Sequence, residues 1–187
     1  MAKINKHKII AILGLPGSGK SVVINYLTKK LECPKVYFGD VTFDEMKARG
    51  LEINEKNEKS VREDLRKKHG IDYYAKKIIK KIDNINEHTI LVESLYSWTE
   101  YLIFREKFKN NFQTIAVYSS PKTRYARLKN RPERPLTAKI AQSRDYAQIE
   151  NLQQAGPIAM ADYTIDNNDK LDKLYKQIDK IAEEILK

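Results

Sequence analysis

Gly14-Leu15-Pro16-Gly17-Ser18-Gly19-Lys20-Ser21 decides how the chain is read, because it fits G-x-x-x-x-G-K-[ST] without a mismatch. Glycines in such a loop let the backbone turn tightly and aim successive N–H groups at one anion, and a helix starting beside Gly19 adds its positive end. Lys20 is spaced to reach the β- and γ-phosphates of a nucleotide, and the Ser21 hydroxyl to bind Mg²⁺. The context agrees. Lys8-Ile-Ile-Ala-Ile-Leu13 upstream is a continuous apolar run, as in a strand buried on both faces. Val22, Val23, Tyr26, Leu27 and Leu31 downstream recur at helical spacing. The competing dinucleotide pattern G-x-G-x-x-G fails: Val22 stands where its third glycine is needed, and Lys20-Ser21 would go unexplained. Residues 14–22 are therefore the expected nucleotide contacts.

Outward from this loop, strands and helices alternate. Cys33-Pro34 stops the first helix, because proline cannot continue it. Val36-Tyr-Phe38 reads as a second strand ending at Gly39-Asp40, and highly charged helices fill 41–84, with breaks near Gly50 and at His69-Gly70. Thr89–Glu93 is a third strand, leading into a helix that carries Trp98, Leu102 and Phe108; Gln113–Tyr118 is a fourth. Pro121 suits the first turn of a helix running to about Asn130. A two-proline loop, Arg131-Pro-Glu-Arg-Pro135, precedes a helix over 136–150. Tyr163-Thr-Ile165 reads as an edge strand, and Leu171, Leu174, Ile178, Ile181 and Ile185 mark a closing amphipathic helix. The pattern implies an α/β fold: one domain over 1–187, a parallel sheet covered on both faces, and a lid over about 127–150.

Composition narrows the class. The 187 residues carry 35 Lys plus Arg against 25 Asp plus Glu, a formal charge of +10, and 41% are hydrophobic, enough for a real core. One cysteine, Cys33, excludes a disulfide framework and suits a reducing compartment, so a cytoplasmic protein is expected. Lys3, Lys6 and Lys8 before an apolar run imitate a signal peptide, but the run is only five residues and no small-residue cleavage site follows. Most of the excess charge is Lys interspersed with acids (Lys76, Lys77, Lys80, Lys81), the composition of a solvated face. Neither a membrane nor a nucleic acid is therefore the expected partner, and the sequence sets no oligomeric state. His7, His69 and His88 lack zinc-binding spacing. Tyr73, Tyr74, Trp98 and Tyr101 read as core; Tyr96, beside Glu93, stands between core and site.

The loop alone does not name a reaction. Asn5-Lys6-His7-Lys8 lacks the aspartate of a guanine-reading motif, a Ser-Gly-Gly transporter signature is absent, and the chain is short for a large remodelling ATPase. A small phosphotransferase remains, in which positioned cations and Mg²⁺ neutralise the moving phosphoryl group. Arg124, Arg127 and Arg131 fall on one side of a helix, Arg134 lies in the proline loop and Arg144 on the helix beyond. Of these, Arg127, Arg131 and Arg144 join Lys20 as expected catalytic groups, with Arg127 and Arg134 also contacting the nucleotide. Asp40 and Glu93 end their strands at the edge where ligands of open α/β sheets bind. Glu93 is expected to serve the metal with Ser21. Asp40 is expected to accept a hydrogen bond from the acceptor and act as its base if the acceptor is a hydroxyl; its structural alternative is a helix N-cap.

The loop, Gly39-Asp40, Ser120-Pro-Lys-Thr-Arg-Tyr-Ala-Arg-Leu128 and Ala161-Asp-Tyr-Thr-Ile-Asp-Asn167 together resemble the adenylate-kinase-related P-loop kinases, the branch of nucleoside monophosphate kinases and dephospho-CoA kinases. The resemblance spans about residues 8–180. It implies a P-loop three-layer sandwich with a five-stranded parallel sheet in the order 2-3-1-4-5, an acceptor-binding region over about 40–84, and an arginine lid after strand four. It further implies transfer of the γ-phosphoryl of ATP, with Mg²⁺, to a small nucleotide-like acceptor. Dephospho-CoA, accepting at its ribose 3′-hydroxyl, or a low-turnover regulatory module are the alternatives. Monophosphate kinases of this branch place acceptor-gripping arginines after strands two and three. Here Phe43 and Tyr96 stand there, leaving Arg49, Arg62 and Arg66 as the nearby arginines.

Overall fold

The computed structural model describes residues 7–186, so Lys3, Asn5 and Lys6 lie outside the described residues. β1 (Lys8–Leu13), β2 (Lys35–Tyr37), β3 (Thr89–Glu93), β4 (Phe112–Tyr118) and β5 (Tyr163–Asp166) form one sheet, every pair parallel, in the order β2-β3-β1-β4-β5. β1 is central and apolar on both sides for a simple reason: successive side chains alternate faces. Ile9, Ala11 and Leu13 enter one core, while Ile10 and Ile12 enter the other. α1 (Lys20–Lys30) and α9 (Leu171–Ile185) cover the second face through Val23, Ile24, Leu27, Leu174, Ile178 and Ile185. The first face packs against α2 (Gly39–Ala48), α3 (Glu55–His69), α4 (Tyr73–Asp83) and α5 (Trp98–Phe108).

Helix ends follow their local chemistry. Ser97 and Glu100 form a reciprocal capping box at α5, and Ser120 caps α6 (Pro121–Asn130) with Pro121 just inside. α7 spans Ala138–Leu152, two residues later than the apolar pattern suggested. Thr137 caps it, and Leu136 instead folds back so that its N–H donates to the Leu128 carbonyl at 3.0 Å. The capping alternative for Asp40, at a helix beginning at Val41, is corrected: α2 begins two residues earlier, with Phe38 at the cap, so Asp40 lies in the first turn. Leu102 and Leu171 are exposed, off the buried stripes of their helices. α8 (Ala155–Ala159) has no periodic signal; Gly156 is there because a Cβ would come 2.7 Å from the Trp98 ring. Among the described residues no helix is long and apolar enough to cross a membrane.

Candidate active site

The parallel sheet brings the carboxyl ends of β1, β3 and β4 together, and the Gly14–Ser21 loop turns across them. Its glycines are required by geometry. Gly14 has φ +142°, and a Cβ there would come 2.6 Å from the Val117 carbonyl oxygen; Gly19 has φ +99°, and a Cβ would come 2.1 Å from Asn167 Nδ2. The loop is fastened from outside by side chains distant in sequence. Asn167 Nδ2 donates to the Ser18 carbonyl at 2.8 Å, Gln154 Nε2 to the Gly14 carbonyl at 3.2 Å, and Arg124 Nη1 to the Pro16 carbonyl at 3.1 Å. Val22, on the first turn of α1, is exposed.

Lys20 folds under the loop, its Nζ donating to the Leu15 carbonyl at 3.2 Å. Burial pushes its pKa down to about 8; Glu93 pulls it up, while Arg124 and Arg144 push it lower. A polyphosphate in the loop favours the charged form and raises that pKa again. Nucleotide binding at pH 8 is therefore expected to take up about half a proton per site, and almost none at pH 6.5. Calorimetric titration in two buffers of different ionisation enthalpy checks this. Equal heats in both at pH 8 would contradict it.

Ser21 and Glu93 meet: Ser21 Oγ donates to Glu93 Oε1 at 3.0 Å, and Lys35 Nζ stands 3.5 Å from Oε2. Among the described residues no cluster of three or more His, Cys, Asp or Glu is placed to hold a metal ion. A hydroxyl beside one carboxylate nonetheless fits Mg²⁺, which keeps several waters and takes oxygens from substrate phosphates. Asp40 is half-exposed, 3.8 Å from Lys81 Nζ. Burial raises its pKa, Lys81 opposes the rise, and the charges of Asp44 and Glu93 add to it.

The arginines divide. Arg124 is not a lid group: it is buried, its two Nη atoms holding Asp145 at 2.9 and 2.7 Å and its Nε donating to the Ser119 carbonyl at 3.1 Å. Arg127 lies against the base of the loop, donating to Ser119 Oγ at 3.0 Å and the Asn167 carbonyl at 2.8 Å. Arg131, Arg134 and Arg144 do cluster. Arg131 Nε donates to the Arg134 carbonyl, Arg134 pairs with Glu58, and Arg144 pairs with Glu55 at 3.0 Å. Burial, with Arg144 and Arg134 beside it, holds the Arg131 guanidinium below its usual pKa. Arg49 faces away, bound to Glu45 and Asp64 at 2.7 and 2.6 Å. Arg62 and Arg66 instead enter a cleft of about 480 Å³ between α3 and α7, with Tyr96, Arg144, Gln148 and Leu152 among its walls. A smaller cavity continues past Tyr96 to Gly39 and Phe43. Sequence periodicity could not single out these two arginines from the other charges of α3.

Comparison with known proteins agrees with this geometry. A family model described as an AAA domain matches residues 10–152. The chain is 34% identical over 182 residues to a UPF0200 protein of Methanocaldococcus jannaschii, covering 95% of this chain and 90% of the relative. It is 31% identical over 183 residues to one from Thermococcus kodakarensis, covering 95% and 98%. Among solved structures, a gluconokinase from Sinorhizobium meliloti superposes with a TM-score of 0.61 at 15% identity, covering 98% of both chains. A shikimate kinase from Bacteroides thetaiotaomicron gives 0.63 at 11% identity, covering 96% and 98%. The fold is thus that of the small P-loop kinases.

Proposed function

We propose, for a chain that belongs to the UPF0200 family and carries a kinase-like P-loop fold, that it is an ATP- and Mg²⁺-dependent phosphotransferase acting on a small nucleotide-like acceptor. The single observation that carries this reading is the convergence of three parts at one sheet edge. Lys20 lies within the glycine loop, Ser21 is bonded to Glu93, and an arginine-walled cleft large enough for a small molecule is lined by Tyr96, three residues beyond Glu93.

On this reading the loop amides and Lys20 hold the β- and γ-phosphates, while Ser21 and Glu93 hold Mg²⁺. The metal would neutralise charge on the phosphate oxygens. Arg144, on the cleft wall, with Arg134 and Arg131 linked to it through the Glu55–Glu58 stretch of α3, would balance the charge that spreads over the transferring group. An acceptor oxygen bonds to the γ-phosphorus as the bond to the bridging oxygen breaks, and ADP leaves. Where the acceptor is a hydroxyl, Asp40, in the first turn of α2 and raised in pKa by burial, takes its proton. Glu93→Gln is then expected to raise the Mg²⁺ concentration for half-maximal turnover about 10- to 100-fold, with metal-free nucleotide binding unchanged. A Mg²⁺ titration of turnover measures this, and an unshifted midpoint would remove Glu93 from the metal site.

The test of the reading is ADP release from ATP and Mg²⁺ in the presence of nucleosides, nucleoside monophosphates or dephospho-CoA, with Lys20→Ala as control. At least one acceptor should raise Lys20-dependent release. If ATP binds and none does, the chain is a nucleotide-responsive regulatory module. The pairing of Arg134 and Arg144 with Glu58 and Glu55 favours that second reading, because it neutralises the lid.

A further inference from the structure

We propose that Arg62 and Arg66, one turn apart on α3, form a subsite for an oxyanion carried by the acceptor, either a phosphomonoester or a carboxylate. This deepens the phosphotransferase reading and rests on it for the word acceptor.

Three observations converge. The two guanidinium groups lie at i and i+4, so they share a face of α3, and both line the large cleft and the smaller cavity beside Tyr96. Arg66 is aimed from behind. Its Nη2 lies 3.7 Å from Oε1 of the fully buried Glu100, and its guanidinium stacks 4.8 Å above the Tyr74 ring. Glu100 is itself fixed, accepting from the backbone N–H groups of Tyr96 and Ser97 at 3.0 and 2.9 Å. Yet Arg66 Nε is a buried donor with no hydrogen-bond partner. Donors of this kind are costly to leave unmade.

Charge completes the case. Arg62 Nη1 donates to Glu58 at 3.4 Å and its Nη2 lies 3.7 Å from Glu55, and those two acids also hold Arg134 and Arg144. Of the charged side chains lining the cleft, Lys59, Arg62, Arg66 and Arg144 outnumber Glu55 and Glu63, leaving a positive excess on its wall. An oxyanion relieves that excess and matches the planar fork of an arginine, which a lysine would not reproduce. Phe43 and Tyr96 supply apolar wall opposite, so the anion is read by α3 rather than by the strand ends. Glu100 is a positioning residue for Arg66.

The experiment is calorimetric titration of the whole chain, saturated with Mg²⁺ and a non-hydrolysable ATP analogue, with AMP, inorganic phosphate and D-glycerate. The unmodified chain is expected to bind at least one of them. Preference for AMP and phosphate identifies a phosphomonoester, and preference for D-glycerate a carboxylate. Arg62→Gln and Arg66→Gln are each expected to weaken that binding about tenfold or more, with Arg66→Lys restoring only part of it and affinity for the ATP analogue within about twofold. Because Arg66→Gln strands a buried carboxylate, the double variant Arg66→Gln/Glu100→Gln and the rim variant Arg62→Gln keep the test valid if the single variant fails to fold. No binding by the unmodified chain, or unchanged binding in folded variants, overturns the subsite. Arginine-dependent binding without turnover on any acceptor leaves the subsite standing and sinks the phosphotransferase reading alone.

Discussion

Lys20→Ala is expected to lower acceptor-stimulated ADP release about 10²- to 10³-fold without lowering the melting temperature. Among the described residues, Lys20 is the ammonium folded beneath the glycine loop, and it makes one hydrogen bond there, to the Leu15 carbonyl. Its folded pKa of about 8 lies below the ordinary lysine value of 10.5, chiefly because of burial. At pH 7 it is charged in both the folded and unfolded states, so the fold holds that charge at a cost that lessens as pH rises through 8. Removing the ammonium relieves the cost. A site group that opposes stability while serving the ligand is the usual trade at an active site. ADP release and a thermal melt of the same sample test both halves. A variant that keeps turnover, or one that melts many degrees lower, would remove Lys20 from the role given to it.

Arg124→Ala is expected to have the largest effect on stability. Arg124 and Asp145 are both about 4% exposed in their side chains, with contacts of 2.9 and 2.7 Å, and Tyr125 OH donates to the same carboxylate at 2.9 Å. Truncation leaves Asp145 as a buried, unpaired charge, and such losses cost about 3–5 kcal/mol. At about 2–4 °C per kcal/mol for a chain of this size, the melting temperature should fall by roughly 6–20 °C. The Pro16 and Ser119 carbonyls lose their donor as well, so nucleotide affinity should fall with it. Arg144→Ala is the internal control. Its pair with Glu55 is partly exposed, 26% and 36%, and should be worth about 1 kcal/mol or less. Similar melting curves for the two variants would show that the Arg124–Asp145 pair does not bolt α6 to α7. A double variant, Arg124→Ala/Asp145→Ala, should cost less than the sum of the single ones, since neither residue is then left unpaired.

The parts legible in the sequence are those set by neighbours along the chain. β1 could be bounded to the residue because an apolar run buried on both faces has no polar alternation to blur it, and a glycine follows. Pro121 marked the start of α6 through its fixed φ and missing N–H. The capping box of Ser97 and Glu100 is equally local, its partners three residues apart. Arg124, Arg127 and Arg131 looked equivalent because helical spacing records only which side of a helix a residue occupies, not what lies opposite. In the fold one is buried against Asp145, one props the base of the loop, and one joins the cluster facing α3.

By itself, then, the sequence determined the phosphate-binding loop, the alternation of strands and helices, and the parallel sheet, since periodicity, glycine and proline act over a few residues. Only the tertiary structure decided that Ser21 meets Glu93 across 72 positions, that Asn167 fastens Ser18, and that Arg62 and Arg66 turn into the cleft while Arg49 turns away. Each of those depends on which helix packs on which face, and the strengths of the resulting contacts depend on burial and on the charges of residues remote in the chain. No local pattern encodes either.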